Sequence, residues 1–168
     1  MKIINDELFA ALSGQAAANP RRRQHLNLHA DYQEPCQRLL NAMEPGSYIR
    51  PHCHRSDPKP ECFLGLRGHL ALILFDDEGH IQKILPFGPH QENAGADIPP
   101  GVWHTVVSLE SGAIFFETKQ AEKSPLPPFM KGGIKASGLW FFFSPFAKGD
   151  RGGFDVDTNY NQLLITSY

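Results

Sequence analysis

Apolar and polar positions change period once, close to the start of the chain. Over residues 5–18, Leu8, Ala11 and Leu12 recur at helical spacing. Asn5 stands where an N-cap belongs, and Asp6 and Glu7 fall in the first turn, where the helix dipole favours acids. Asn19-Pro20 ends the run, because the residue before a proline is pushed out of helical geometry. From Arg21 onward the period shortens to two. His25, Asn27 and His29 alternate with Leu26 and Leu28, which is the spacing of a strand with one polar face.

Short alternating runs follow, each closed by turn residues. The pattern predicts strands over residues 37–43, 48–54, 61–67, 69–75, 80–85, 103–109 and 113–118, with Asp97-Ile98 leading into the turn before residue 103. Glu44-Pro45-Gly46, Asp76-Asp77-Glu78-Gly79, Pro99-Pro100-Gly101 and Glu110-Ser111-Gly112 punctuate them, and residues 55–60 form a polar, proline-containing loop. Many short strands behind one helix predict a mainly β chain built as an antiparallel barrel or sandwich. After Lys119 the character changes: Pro/Gly-rich stretches at 124–133 and 144–153 echo one another around the apolar run 139–143. Two copies are too few for a solenoid. The expected organisation is an N-terminal helix (1–20), a β-barrel (21–119) and an atypical Pro/Gly- and Phe-rich C-terminal tail (120–168).

Composition narrows the function classes. A chain of 168 residues, 41% hydrophobic and 20% charged, has room for one hydrophobic core and is not of disordered type. A formal charge of −2 provides no general attraction to phosphate backbones or anionic membranes, which argues against nucleic-acid and membrane partners. With no apolar run of about 18 residues and no signal-like start, a cytoplasmic location is expected. The three cysteines, Cys36, Cys53 and Cys62, form neither a regular disulfide framework nor a Cys-x-x-Cys pair.

Candidate chemistry concentrates in four residues. His52 and His54, two apart in a predicted strand, project to one face; Glu61 opens the next strand, and His104 follows the Pro99-Pro100-Gly101 turn. Any one of these alone has a bland reading: a chance His-x-His, a surface acid, a core histidine. Together, three imidazoles and one carboxylate suit a borderline divalent ion such as iron, zinc, manganese or nickel, with positions left for water or substrate.

Two motifs carry a resemblance. Gly46, His52-x-His54, Glu61 and Gly68 resemble the first cupin motif, with a slightly longer loop, and Pro99-x-Gly101-x-x-His104 resembles the second, with Ser108 where Asn is common. Arg21-Arg-Arg-Gln-His-Leu-Asn-Leu-His29, Arg50-Pro-His-Cys-His54, Leu66-Arg-Gly68, Phe75-Asp-Asp-Glu-Gly79, Ile98-Pro-Pro-Gly-Val-Trp-His-Thr105 and Phe116-Glu-Thr-Lys119 together resemble the WbuC family of cupin-fold metalloproteins. The resemblance runs from about Met1 to Lys119 and stops there. It implies an antiparallel cupin (jelly-roll, RmlC-like) barrel preceded by one helix, a bound divalent metal, a homodimer, and an association with surface polysaccharide (O-antigen) biosynthesis. It implies no particular reaction.

The remaining polar candidates have two readings each. Arg50, two residues before His52, either fixes an anionic substrate or pairs with an acid at the barrel mouth. His25, Asn27 and His29 either line the cavity and orient the ligands, or serve a structural or dimer contact. Trp103, Phe63 and Phe116 are expected in the core. Three functions stay open: a mononuclear metalloenzyme (isomerase, epimerase, lyase or dioxygenase) acting on a small sugar or nucleotide sugar, a non-catalytic metal-dependent sugar-binding or sensor module, or a purely structural cupin whose metal holds the barrel together.

Overall fold

Asn5 caps the helix as its sequence position demands. In the computed structural model its side chain accepts a hydrogen bond from the Leu8 amide at 3.1 Å, and α1 runs Asp6–Ala18. The Asn19 amide closes the last turn on the Ala16 carbonyl at 3.2 Å. The structure describes residues 1–121; the expected tail, from residue 122 on, lies outside the described residues. Within them, eight strands follow α1: β1 Arg23–Asn27, β2 Cys36–Met43, β3 Glu61–Arg67, β4 Leu70–Phe75, β5 Ile81–Phe87, β6 Gly95–Ile98, β7 Trp103–Ser108 and β8 Ala113–Gln120.

The strands form two antiparallel sheets, ordered β1-β2-β8-β3-β6 and β5-β4-β7. Strands adjacent in a sheet are mostly distant in sequence, which is the double-sheet jelly-roll solution for burying two apolar faces. The expected mainly β, antiparallel cupin-type jelly roll with its leading helix is therefore present. Its two sheets pack face to face and are not joined by a continuous ladder into a closed barrel. Met43, Phe63, Ile98 and Phe115 from the larger sheet meet Leu70, Leu72, Phe87 and Val106 from the smaller one.

Strand alternation divides the larger sheet into two jobs. Leu40, Ala42 and Ile114 point outward and are covered by Leu12 and Ala16 of α1. Their neighbours Met43 and Phe115 point inward to the core between the sheets. Phe116 differs from expectation: one residue after Phe115, it lands on the helix side and packs with Leu12 and Leu40.

The predicted strand over 48–54 does not form. Pro51 has no amide proton to give to a ladder, and this stretch keeps a single antiparallel bridge, His52 to His104. That bridge adds His52 to the β7 edge of the smaller sheet. No helix among the described residues is long and apolar enough to cross a membrane.

The β3–β6 pairing that positions the start of β3 needs a glycine. A Cβ at Gly95 would lie 1.9 Å from the Phe63 carbonyl oxygen. Gly95→Ala is expected to lower the unfolding free energy by about 1–3 kcal/mol, as overpacked sites do; a urea midpoint equal to wild type would contradict this close approach.

Candidate metal centre

Glu61 is the first residue of β3, held between Ile98 of β6 and Lys119 of β8. It is only 1% exposed, so its carboxylate sits between the sheets with little water to solvate it. His104, the second residue of β7, is equally buried, and the Pro99-Pro100-Gly101 turn before it uses a positive φ of 84° at Gly101. Reciprocal backbone hydrogen bonds of 3.0 and 2.9 Å tie His52 to His104. This one bridge does for His52 what the sequence assigned to a strand. His54 follows two residues later, and Arg55 beyond it pairs with Asp77 and lies 5.9 Å over the Trp103 ring.

All four predicted ligands converge. Glu61 Oε1 lies 2.9 Å from His54 Nε2, and Glu61 Oε2 lies 3.0 Å from His104 Nε2 and 3.9 Å from His52 Nε2. The imidazole centroids are 4.5 to 6.4 Å apart. Ligands at about 2.0–2.2 Å from an ion, at right angles to one another, stand about 3 Å apart. His52, His54 and Glu61 each offer a ligand atom within 4.8 Å of the other two, the spacing of a coordination shell, and His104 adjoins them through Glu61 Oε2.

Hydrogen-bond chemistry points the same way. His104 Nδ1 is 2.9 Å from the Val102 carbonyl and His52 Nδ1 is 3.2 Å from the Arg50 carbonyl. A ring that donates from Nδ1 and is neutral has only a lone pair at Nε2. In His104 that lone pair would face a carboxylate oxygen at 3.0 Å, acceptor against acceptor, unless a cation lies between them. Protonating every ring would crowd three positive charges around one carboxylate. For His52, burial and the neighbouring His104 both push its pKa down, and Glu61 offsets them only in part. A single divalent ion satisfies all three rings and the acid together, and the residues present fit one.

Lys119 completes the site and was not singled out from the sequence. Its Nζ lies 2.8 Å from Glu61 Oε1 and 2.7 Å from Glu117 Oε1, while Glu117 Oε2 accepts from Asn41 Nδ2 at 2.9 Å. Burial pushes the Glu61 carboxyl up, but its contacts with His104, His54 and Lys119 outweigh burial and hold it well below the usual carboxylate range. Burial pushes Lys119 down, and Glu117 and Glu61 more than reverse this. The only signal in the sequence was the alternation of Glu117 and Lys119 on one face of a strand.

The other candidates lie at different distances from this centre. Arg50 is exposed, with its backbone carbonyl on His52. His25 and Asn27 line a cavity of about 420 Å³ that shares Lys119 with the metal centre. His29 lies beyond β1, buried, with Nδ1 3.0 Å from the Arg38 carbonyl, so it holds a chain turn and does not join the four ligands. The second buried glutamate among the described residues, Glu44, is structural: it accepts from Ser111 Oγ at 2.5 Å and the Gly112 amide at 2.9 Å. Asp76, Glu78 and His80 also stand close enough to hold an ion, on the β4–β5 hairpin, where His80 and Asp76 bond each other at 3.2 Å.

Residues 4–86 match the model of a domain of unknown function, DUF6016. No curated protein matches the chain in sequence. Among solved structures, the chain is similar to KdgF from Halomonas sp., at 13% identity and TM-score 0.49 over 62% of this chain and 84% of that one. It is similar to TT1209 from Thermus thermophilus, at 19% identity and TM-score 0.49 over 73% and 98%. Oxalate decarboxylase from Bacillus subtilis is similar at 19% identity and TM-score 0.44; the match covers 60% of this chain but only 25% of that one.

The depressed Glu61 carboxyl has a signed consequence for the metal-free protein. Its stabilisation is complete above the unfolded glutamate value near about 4.3 and is lost as pH falls below it. Thermal melts of chelated protein between neutral and acid pH should therefore fall more steeply for wild type than for Glu61→Gln; parallel curves would contradict the assignment.

Proposed function

We propose that this chain is a mononuclear metal-binding cupin of the WbuC type that acts on a small, sugar-like molecule in surface polysaccharide biosynthesis. His52, His54, Glu61 and His104 are its ligands. The observation that carries the reading is the convergence of three imidazoles on one buried carboxylate, with His54 Nε2 at 2.9 Å, His104 Nε2 at 3.0 Å and His52 Nε2 at 3.9 Å. The donor set suits iron, zinc, manganese or nickel. When bound, such an ion supplies Lewis acidity toward a carbonyl or hydroxyl oxygen.

The chain's own residues do the rest. Val102 and Arg50 carbonyls fix two rings with Nε2 toward the centre. Lys119 steadies the Glu61 carboxylate from its far side. Phe63, whose ring centroid is 6.0 Å from that of His104, closes the apolar floor and keeps water from entering through the core. One observation favours the second reading, a binding or sensor module without turnover. Both acids at the centre are already engaged, Glu61 by the imidazoles and Glu117 by Asn41 and Lys119, so neither stands ready as a general base.

Two further parts of the proposal rest on the cysteines and on a sheet edge. Free Cys36, Cys53 and Cys62 suit a reducing, cytoplasmic compartment. Strand β1 ends its sheet, and its outer edge gives a homodimer a place to pair.

Elemental analysis of tag-free protein tests the centre. One equivalent of transition metal per chain is expected, lost in His54→Ala and in His104→Ala and kept in His80→Ala. Retention in His54→Ala, or loss on changing His80, would remove this ligand set.

A further inference from the structure

The inner face of the larger sheet changes character along its length. Around Phe63 and Phe115 it is core. One step toward the other end, Gln37, Lys119 and Glu61 stand side by side across β2, β8 and β3, and Asn27 sits opposite Leu39 on β1. These positions share a face because cross-strand partners do. Over this polar half lies the 420 Å³ cavity, lined by His25, Asn27, Tyr32, Gln37, Lys59 and Lys119 among others. Its volume falls in the range of about 300–1,000 Å³ that small-molecule sites occupy.

The charge of the lining is one-sided. Among the described residues, two lysines line the cavity and no acid does. Lys59 is only 3% exposed, an expensive place for an ammonium, and its ion-pair partner Asp57, at 3.1 Å, lies outside the lining. Lys119 is balanced by Glu61 and Glu117, but Glu61 is also the anionic ligand of the proposed centre. A divalent ion there leaves this group with a positive excess facing the cavity. Asn27 adds a buried Oδ1 with no hydrogen-bond partner among the described residues, an acceptor suited to a hydroxyl. Among the described residues no arginine fork lines the cavity, which separates it from the usual phosphate cradles.

We infer that this cavity binds a small hydroxylated carboxylate, its carboxylate held between Lys59 and Lys119, a hydroxyl on Asn27, and its remaining oxygens directed past Lys119 to the metal centre. The inference rests on the metal reading for that last contact and for the positive excess facing the cavity. It names the substrate class of the proposed site as a sugar-acid-like anion and not a neutral sugar.

Calorimetric titration with D-gluconate, its uncharged counterpart D-glucitol and inorganic phosphate tests it, in zinc-loaded and in chelated protein. Gluconate is expected to bind at least about ten-fold tighter than glucitol, the worth of one charge-assisted hydrogen bond, and tighter than phosphate. Lys59→Met should lose that margin with its zinc content unchanged, and Lys59→Arg should keep it. Should Lys59→Met fail to fold, Asn27→Asp, on a half-buried edge strand, decides: the added acid should weaken gluconate by a similar factor. Equal affinity for gluconate and glucitol, phosphate binding tightest, or Lys59→Met and Asn27→Asp proteins that bind gluconate like wild type would overturn the inference. The two readings fail separately. If zinc does not bind but chelated protein still prefers gluconate in a Lys59-dependent way, the metal centre falls and the cavity stands; zinc binding without gluconate preference does the reverse.

Discussion

A carboxylate almost wholly removed from water has to be neutralised by its surroundings or it unfolds them. Glu61 is in that position, and the site can be read as the set of groups assembled to satisfy it: His54 and Lys119 on one oxygen, His104 and, farther off, His52 on the other. These partners come from β7, β8 and the connection leading into β3, so the same carboxylate ties together both sheets. Removing any one partner leaves the others facing an imbalance, and that makes the cluster a unit and not a sum of pairs. A divalent ion resolves the balance more completely than protons can, since it replaces several mutually repelling imidazoliums with one charge.

The fold supplies the setting through strand alternation. Helix α1 covers the outer face of the larger sheet at Leu40, Ala42 and Ile114, which frees the inner face to be apolar at one end and polar at the other. The apolar end makes the jelly roll stable; the polar end holds Glu61, Lys119 and the cavity lined by Lys59 and Asn27. Ser108, at a position where the resembling motif commonly has Asn, donates from Oγ to the Glu110 carbonyl at 2.6 Å and so serves the turn into β8, away from the ligands.

Much of this was legible in the sequence because it depends on local periodicity. Asn5 and the acids after it marked the helix start, and period-two runs marked nearly every strand within a residue or two. The four convergent residues were legible because ligand types stood at motif spacing. What escaped depends on partners distant in sequence. Residues 48–54 alternate like a strand, yet Pro51 withholds an amide and one bridge to His104 takes the ladder's place. Lys119 looks like any solvated lysine until β8 is laid beside β3, and His29 continues the alternation of β1 on paper while the chain has already turned against Arg38. Phe115 and Phe116 cannot be told apart by type, only by which face the register assigns.

The central claim is that one cation belongs among the four side chains. Anomalous scattering from crystals of zinc-loaded protein, recorded on either side of the zinc absorption edge, tests it most directly. A single strong peak per chain is expected at about 2.0–2.2 Å from His52, His54, Glu61 and His104. A peak elsewhere, or none beside Glu61 in protein that retains stoichiometric zinc, would contradict it.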